Sequence, residues 1–143
     1  MPRAMEITTP LGPDVLLFHR MHAREEVGRI GECRLELLSP KNDINIDAIL
    51  GKSVTVKLML QDDSIRYFNG FVTSFSQGSK YGRYRRYYAD INPWAWFLSR
   101  TSDCRIFQEM SVPEIVKKVF EDHPTTSFKD DLTGSYRTWD YCV

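Results

Sequence analysis

Much of this chain alternates between apolar and polar positions with the period of two that a half-buried strand requires. Cys33, Leu35 and Leu37 alternate with Arg34 and Glu36, and Val54, Val56, Leu58 and Leu60 alternate with Thr55, Lys57 and Met59. Residues 15–25 are extended and apolar on both faces, as in a strand covered on two sides. Gln61-Asp62-Asp63-Ser64 is turn chemistry, and residues 65–75 read as the returning strand with Gly70 as a bulge. Gln77-Gly78-Ser79-Lys80-Tyr81-Gly82 then makes a second connection into a strand over residues 83–91. Three sequential antiparallel strands form a meander of the kind that curls into a small barrel.

Helical signals are fewer. Asn45 is a cap residue, Asp47 falls in the first turn and Gly51 closes the end, which predicts a short helix over 45–51. Asn92-Pro93 breaks the meander, and Trp94-Ala95-Trp96-Phe97-Leu98 packs as a compact apolar turn. Ser111-Val112-Pro113-Glu114 is a capping box with proline inside the first turn. Ile115, Val116, Val119 and Phe120 follow at helical spacing, predicting a helix over 111–122 whose apolar stripe is core. His123-Pro124 ends it. The chain is then polar until Arg137, Trp139 and Tyr141 suggest one more strand. The fold class is mainly β: a small antiparallel, barrel-like domain with one well-capped helix and a short second helix.

Composition narrows what such a domain can be. The 143 residues are 42% hydrophobic and 27% charged, which suits one globular core and argues against disorder. Nineteen Lys and Arg balance nineteen Asp and Glu, so no net field draws nucleic acid or an anionic membrane. The aromatic share of 13% fits strands or an interface better than a helical bundle. No run approaches the roughly 18 apolar residues of a membrane helix. The start, Met1-Pro2-Arg3-Ala4-Met5-Glu6, lacks the apolar core of a signal peptide, so the expectation is a cytoplasmic chain or one exported by an unusual route. Cys33, Cys104 and Cys142 are odd in number and widely spaced, giving neither a disulfide framework nor a zinc pattern.

No enzyme signature survives inspection of the reactive side chains. His19 and His22, three apart in a strand, point to opposite faces of a regular pleat and make a poor metal pair. His123 suits the end of a helix, where a partly positive imidazole complements the dipole. Nothing local activates Cys33 or Cys104 as a nucleophile. Asp62-Asp63 and Asp130-Asp131 are turn aspartates without the contrasting environments that acid–base work needs. Gly78 and Gly82 precede no Lys-Ser/Thr, so no phosphate loop exists. Catalytic, cofactor and metal residues are therefore expected to be none.

The strongest chemical feature is Lys80-Tyr81-Gly82-Arg83-Tyr84-Arg85-Arg86-Tyr87-Tyr88. Interleaved cations and rings grip single-stranded nucleic acid on small barrels, which is one alternative. Pleating divides the run, however, with Arg83, Arg85 and Tyr87 on one face and Tyr84, Arg86 and Tyr88 on the other. A neutral chain disfavours nucleic acid. Tyr and Arg are also hot-spot residues of protein interfaces, so Tyr81, Arg83, Tyr84, Arg85, Arg86, Tyr87 and Tyr88 are the candidate protein-binding residues.

Four stretches resemble one family. They are Pro10-Leu11-Gly12-Pro13-Asp14-Val15-Leu16-Leu17, Leu50-Gly51-Lys52, Asn92-Pro93-Trp94-Ala95-Trp96-Phe97-Leu98 and the run from Arg100 to Phe120. The last contains Arg100, Ser102, Asp103, Cys104, Arg105, Ile106, Phe107 and Gln108, followed by Ser111 and Pro113. Together they are similar to the N-terminal hub region of VgrG, the type VI secretion system spike, and more distantly to contractile phage tail baseplate hubs. The resemblance implies a split-barrel, phage-hub-like domain, with 1–143 as the first barrel or a fragment truncated relative to the family. Since Cys142-Val143 ends without a polar tail, a boundary within a larger fold is expected. The resemblance further implies a non-enzymatic tail-tip component that forms a homotrimer in the intact protein. Its implied partners are a hexameric tube-ring protein, baseplate components and effectors, with no membrane insertion. The implied location is the bacterial cytoplasm before firing, then export by the type VI apparatus without a signal peptide. Pro93, Trp94 and Trp96 join the Arg100–Pro113 residues as family-motif positions with structural roles.

Overall fold

The computed structural model describes residues 4–143. They divide into two compact units, one ending at Pro93 and the other spanning Trp94–Val143.

The first unit is one curled antiparallel sheet. Its strands are β1 (Met5–Thr8), β2 (Leu17–Arg24), β3 (Glu32–Ser39), β4 (Ser53–Met59), β5 (Ile65–Tyr81) and β6 (Tyr84–Asn92). Their order is β1-β4-β5-β6-β3-β2. The meander read from the alternation is β4-β5-β6, and β3 and β2 extend it beyond β6. The sheet bends until its two outermost strands, β1 and β2, approach each other without pairing, leaving a half-barrel with a seam. Leu35, Leu37, Val54, Val56, Val72, Phe75, Tyr87, Ala89 and Ile91 fill the concave side. Ile49, from the β3–β4 connection, plugs it and is 1% exposed. Alternation placed these side chains inside because only one face of each strand meets the core.

Several local expectations are corrected. β2 is covered on one side only: Phe18, Met21 and Ala23 pack inward, whereas Arg20, His22 and Arg24 are exposed. Its pairing with β3 shifts between Phe18 and Arg20. That bulge reverses the pleat parity, so His19 and His22 both face outward rather than diverging. His19 lies 3.7 Å from Glu36 and His22 pairs with Arg34. β5 does not end at residue 75 but continues to Tyr81, and only Gly82 and Arg83 turn the chain into β6. Gly82 has φ +59°, a left-handed conformation suited to that tight turn. Gly70 sits in register opposite Val54, and the bulges of β5 fall after Val72 and after Gln77. Glycine is needed at 70 because a Cβ there would lie 2.6 Å from the Asn92 carbonyl oxygen and from Ile91 Cγ2. The short helix is a single 3-10 turn, Ile46–Ala48, with the Asp47 N–H donating to Asn45 Oδ1 at 3.0 Å.

The second unit holds a one-turn helix α1 (Ala95–Leu98), a two-residue pairing of β7 (Met110–Ser111) with β8 (Thr138–Trp139), and α2 (Val112–Glu121). The capping box is present: Glu114 Oε2 accepts from the Ser111 N–H at 2.7 Å and from its Oγ at 2.6 Å. Those bonds hold the Glu114 carboxyl below its ordinary value. The expectation of a buried helix face is wrong. No residue of α2 is buried, and Val112 and Val116 are 55% and 41% exposed. In this unit only Phe107 and Ser111 are buried, so helical periodicity had no core to point at.

Two outcomes follow. Ser111→Ala should cost roughly 0.5–2 kcal/mol, read as a lower unfolding midpoint of the second unit by helical circular dichroism. In the first unit, burial pushes the Cys33 thiol up to about 11, with Glu25 and Asp90 adding to the shift. The unfolded chain therefore loses this proton first as pH rises, and stability should fall between about pH 9 and 11. Cys33→Ala should flatten that part of the urea-midpoint profile against pH.

Candidate protein interface

The β5–β6 hairpin presents the sequence-derived interface residues, and pleating sorts them. Tyr81 and Tyr84 are cross-strand partners, as are Lys80 and Arg85, and Gln77 and Tyr87. Tyr81, Tyr84, Arg86 and Tyr88 therefore share the convex face, while Lys80, Arg85 and Tyr87 share the concave one.

On the convex face the cations are internally engaged. Arg86 Nε lies 2.8 Å from Glu36 Oε1, and its guanidinium sits 5.0 Å over the Tyr81 ring. Tyr81 also meets the His19 ring at 5.2 Å. Arg83, in the turn, lies 5.0 Å over the Tyr84 ring and donates to its hydroxyl at 2.7 Å. Tyr88 is 42% exposed. The carboxylate of Glu36 and the ring of His19 were missed in the sequence because they belong to strands distant along the chain.

The concave face is different. Tyr87 is core, not interface: it is 2% exposed, stacks on Phe75 at 5.4 Å and donates to the Lys41 carbonyl at 3.3 Å. Arg85 reaches the Gly78 carbonyl with Nη1 at 3.4 Å, and its Nε is shielded from solvent without a partner.

The family-motif residues of the second unit hold one another. The indole N–H of Trp94 donates to the Ser127 carbonyl at 2.6 Å, and its ring meets Phe120 edge-on at 4.8 Å. Arg100 covers the Trp96 ring at 4.4 Å. Arg105 spans Asp103, at 2.6 Å, and Asp122, which it contacts closely. Its guanidinium holds the Asp103 carboxyl below the usual carboxylate range. Phe107 is 8% exposed and exchanges two backbone hydrogen bonds of 2.8 Å with Cys142. Ser102, Cys104, Ile106 and Gln108 are exposed. Val112, Pro113, Val116 and Phe120 line a shallow groove with Phe128, Leu132 and Tyr136, bordered by a Lys117–Asp130 ion pair. Among the described residues, no group of three or more His, Cys, Asp or Glu side chains is placed to hold a metal ion. Nor is any helix among them long and apolar enough to cross a membrane.

The profile of the phage tail baseplate hub (GPD) family matches residues 24–143. The chain belongs to the phage tail baseplate hub family. Within this hub family its curated relatives include the type VI secretion system spike protein VgrG1b of Pseudomonas aeruginosa, 47% identical over 141 residues, with 99% of this chain and 19% of the relative covered. VgrG1a of the same organism is 46% identical over 143 residues, covering all of this chain and 22% of the relative. The hub chain thus spans about a fifth of the length of these relatives. A solved structure, the E. coli c3393 protein, shares the fold with a TM-score of 0.65 at 18% identity, over 87% of this chain and 38% of that one. That protein is described as a component of the type VI secretion system with structural similarity to the T4 bacteriophage tail proteins gp27 and gp5.

The inward and outward tyrosines of this hub hairpin separate stability from surface chemistry. Tyr87→Ala should cost about 3–5 kcal/mol in urea unfolding, as for other large buried rings. Tyr88→Ala should stay within about 0.5 kcal/mol.

Proposed function

We propose that the chain is the hub portion of a type VI secretion tail tip, a structural element without catalytic activity. The single observation that carries the reading is identity of 46–47% to VgrG spike proteins along essentially the whole chain. The half-barrel agrees with it, since the same fold is found in the E. coli c3393 protein, described as a type VI secretion system component. In this reading the intact protein is a homotrimer that docks on a hexameric tube-ring protein and meets baseplate components and effectors. It waits in the bacterial cytoplasm and is exported by the apparatus itself. The first unit is the first barrel of the hub, and the motif residues from Pro93 to Pro113 brace the segment that follows it. The hairpin from Tyr81 to Tyr88 contributes to an intersubunit or ring-facing surface.

A second reading within the same family is a contractile phage tail baseplate hub, favoured by the profile match itself. Binding of single-stranded nucleic acid is disfavoured, because Tyr87 is buried and the chain carries no net positive charge.

Size-exclusion chromatography with light scattering, over a concentration series and with the cognate tube-ring protein, tests the assembly. A threefold mass or co-migration with the ring is expected. A monomer that ignores the ring at every concentration, both for this chain and for a chain of spike-protein length, would sink the reading.

A further inference from the structure

Four cations crowd the tip of the β5–β6 hairpin: Lys80, Arg83, Arg85 and Arg86. No acidic residue lies between positions 80 and 86 in a chain that is neutral overall. Two of the four are accounted for. Arg86 is paired with Glu36 and lies over Tyr81, and Arg83 is bound to Tyr84.

Lys80 and Arg85 are not accounted for. They are direct cross-strand partners, so their side chains leave the sheet on the same face. Like charges in that relation repel and destabilise a pair of strands. Among the described residues neither has an acidic ion-pair partner, and the carboxylate that reaches this hairpin, Glu36, is spent on Arg86. Arg85 also keeps a solvent-shielded Nε with no acceptor, while its Nη1 makes only a long contact to Gly78. The Arg85 guanidinium beside the Lys80 ammonium is matched by a carboxylate, which would cancel the repulsion between the two cations.

We propose that Lys80 and Arg85 form a receptor for Asp or Glu carboxylates on an acidic partner protein. A protein is favoured over a nucleic acid because Tyr87, the ring that shares a face with Lys80 and Arg85, is buried and cannot stack a base. The partner's identity as the tube ring rests on the reading given under Proposed function, whereas the carboxylate chemistry does not.

The test uses the chain as it stands, with labelled poly-L-glutamate and labelled oligothymidine of matched charge, followed by fluorescence anisotropy over a salt series. The double variant Lys80→Gln/Arg85→Gln is compared with Lys57→Gln/Lys118→Gln, which removes the same charge elsewhere, and urea midpoints check that both fold. Polyglutamate affinity at low salt should fall at least about tenfold in the first variant and hold in the second. Equal affinities in wild type and the first variant, or equal losses in both variants, would overturn the receptor. So would tighter binding of oligothymidine than of polyglutamate by the wild type. Purified tube-ring protein is then added to the polyglutamate complex. Displacement of the label supports the ring as the natural occupant. Failure of the ring to bind, with polyglutamate binding intact and variant-sensitive, supports the carboxylate receptor and counts against the docking role alone.

Discussion

Tyr87 faces Leu37 on one side and Gln77 on the other, and its ring stacks on Phe75 beneath the curl of the sheet. β6 is held by strands on both edges, so burial of this one ring sets the parity of everything paired to it. Ala89 and Ile91 follow it inward, and Arg86 and Tyr88 are turned outward. The division of the hairpin into an engaged convex face and an uncompensated concave tip follows from the same choice. A slip of one residue would bury Arg86 and expose Tyr87, exchanging a stacked aromatic for a desolvated charge.

The sheet was legible where one face of a strand meets the core. Leu35 and Leu37, or Val54 and Val56, announce themselves by alternation, and the β4-β5-β6 meander followed from turns between such runs. Within the run over residues 80–88, alternation separated Tyr84, Arg86 and Tyr88 from Arg85 and Tyr87. It placed Arg83 in the strand, where the structure has it in the turn against Tyr84, and it offered Tyr87 as surface, where the structure has it in the core. The turn was misplaced, because Gln77, Gly78 and Ser79 have loop chemistry yet are carried as a bulged strand by pairing to β6. Non-local hydrogen bonding overrode local propensity there. The histidines failed for a related reason. Their divergence assumes an unbroken pleat, and the irregularity beside His19 is imposed by β3, twelve or more positions away.

The second unit shows the opposite balance. Its capping box is a local device, complete within four residues, and it forms as the sequence indicates. Burial is a property of what surrounds a helix, and the spacing of Ile115, Val116, Val119 and Phe120 carries no information about that. Trp94, Phe120 and Phe128 find each other as an edge-to-face chain of rings. That aromatic geometry adds cohesion beyond area burial, which matters where few side chains are enclosed. Arg105, clasped between Asp103 and Asp122, does similar service for an extended segment with little secondary structure.

Gly70 carries a different implication, one about inheritance. The backbone of Asn92 and the side chain of Ile91 occupy the space where any side chain at this position would begin. Every alternative that mutation can supply at that codon brings a Cβ with it, so drift at residue 70 has no neutral path while β5 and β6 keep their approach. Nearby convex positions can wander in composition, but lineages carrying this half-barrel should retain glycine there even after the rest of the strand has become unrecognisable.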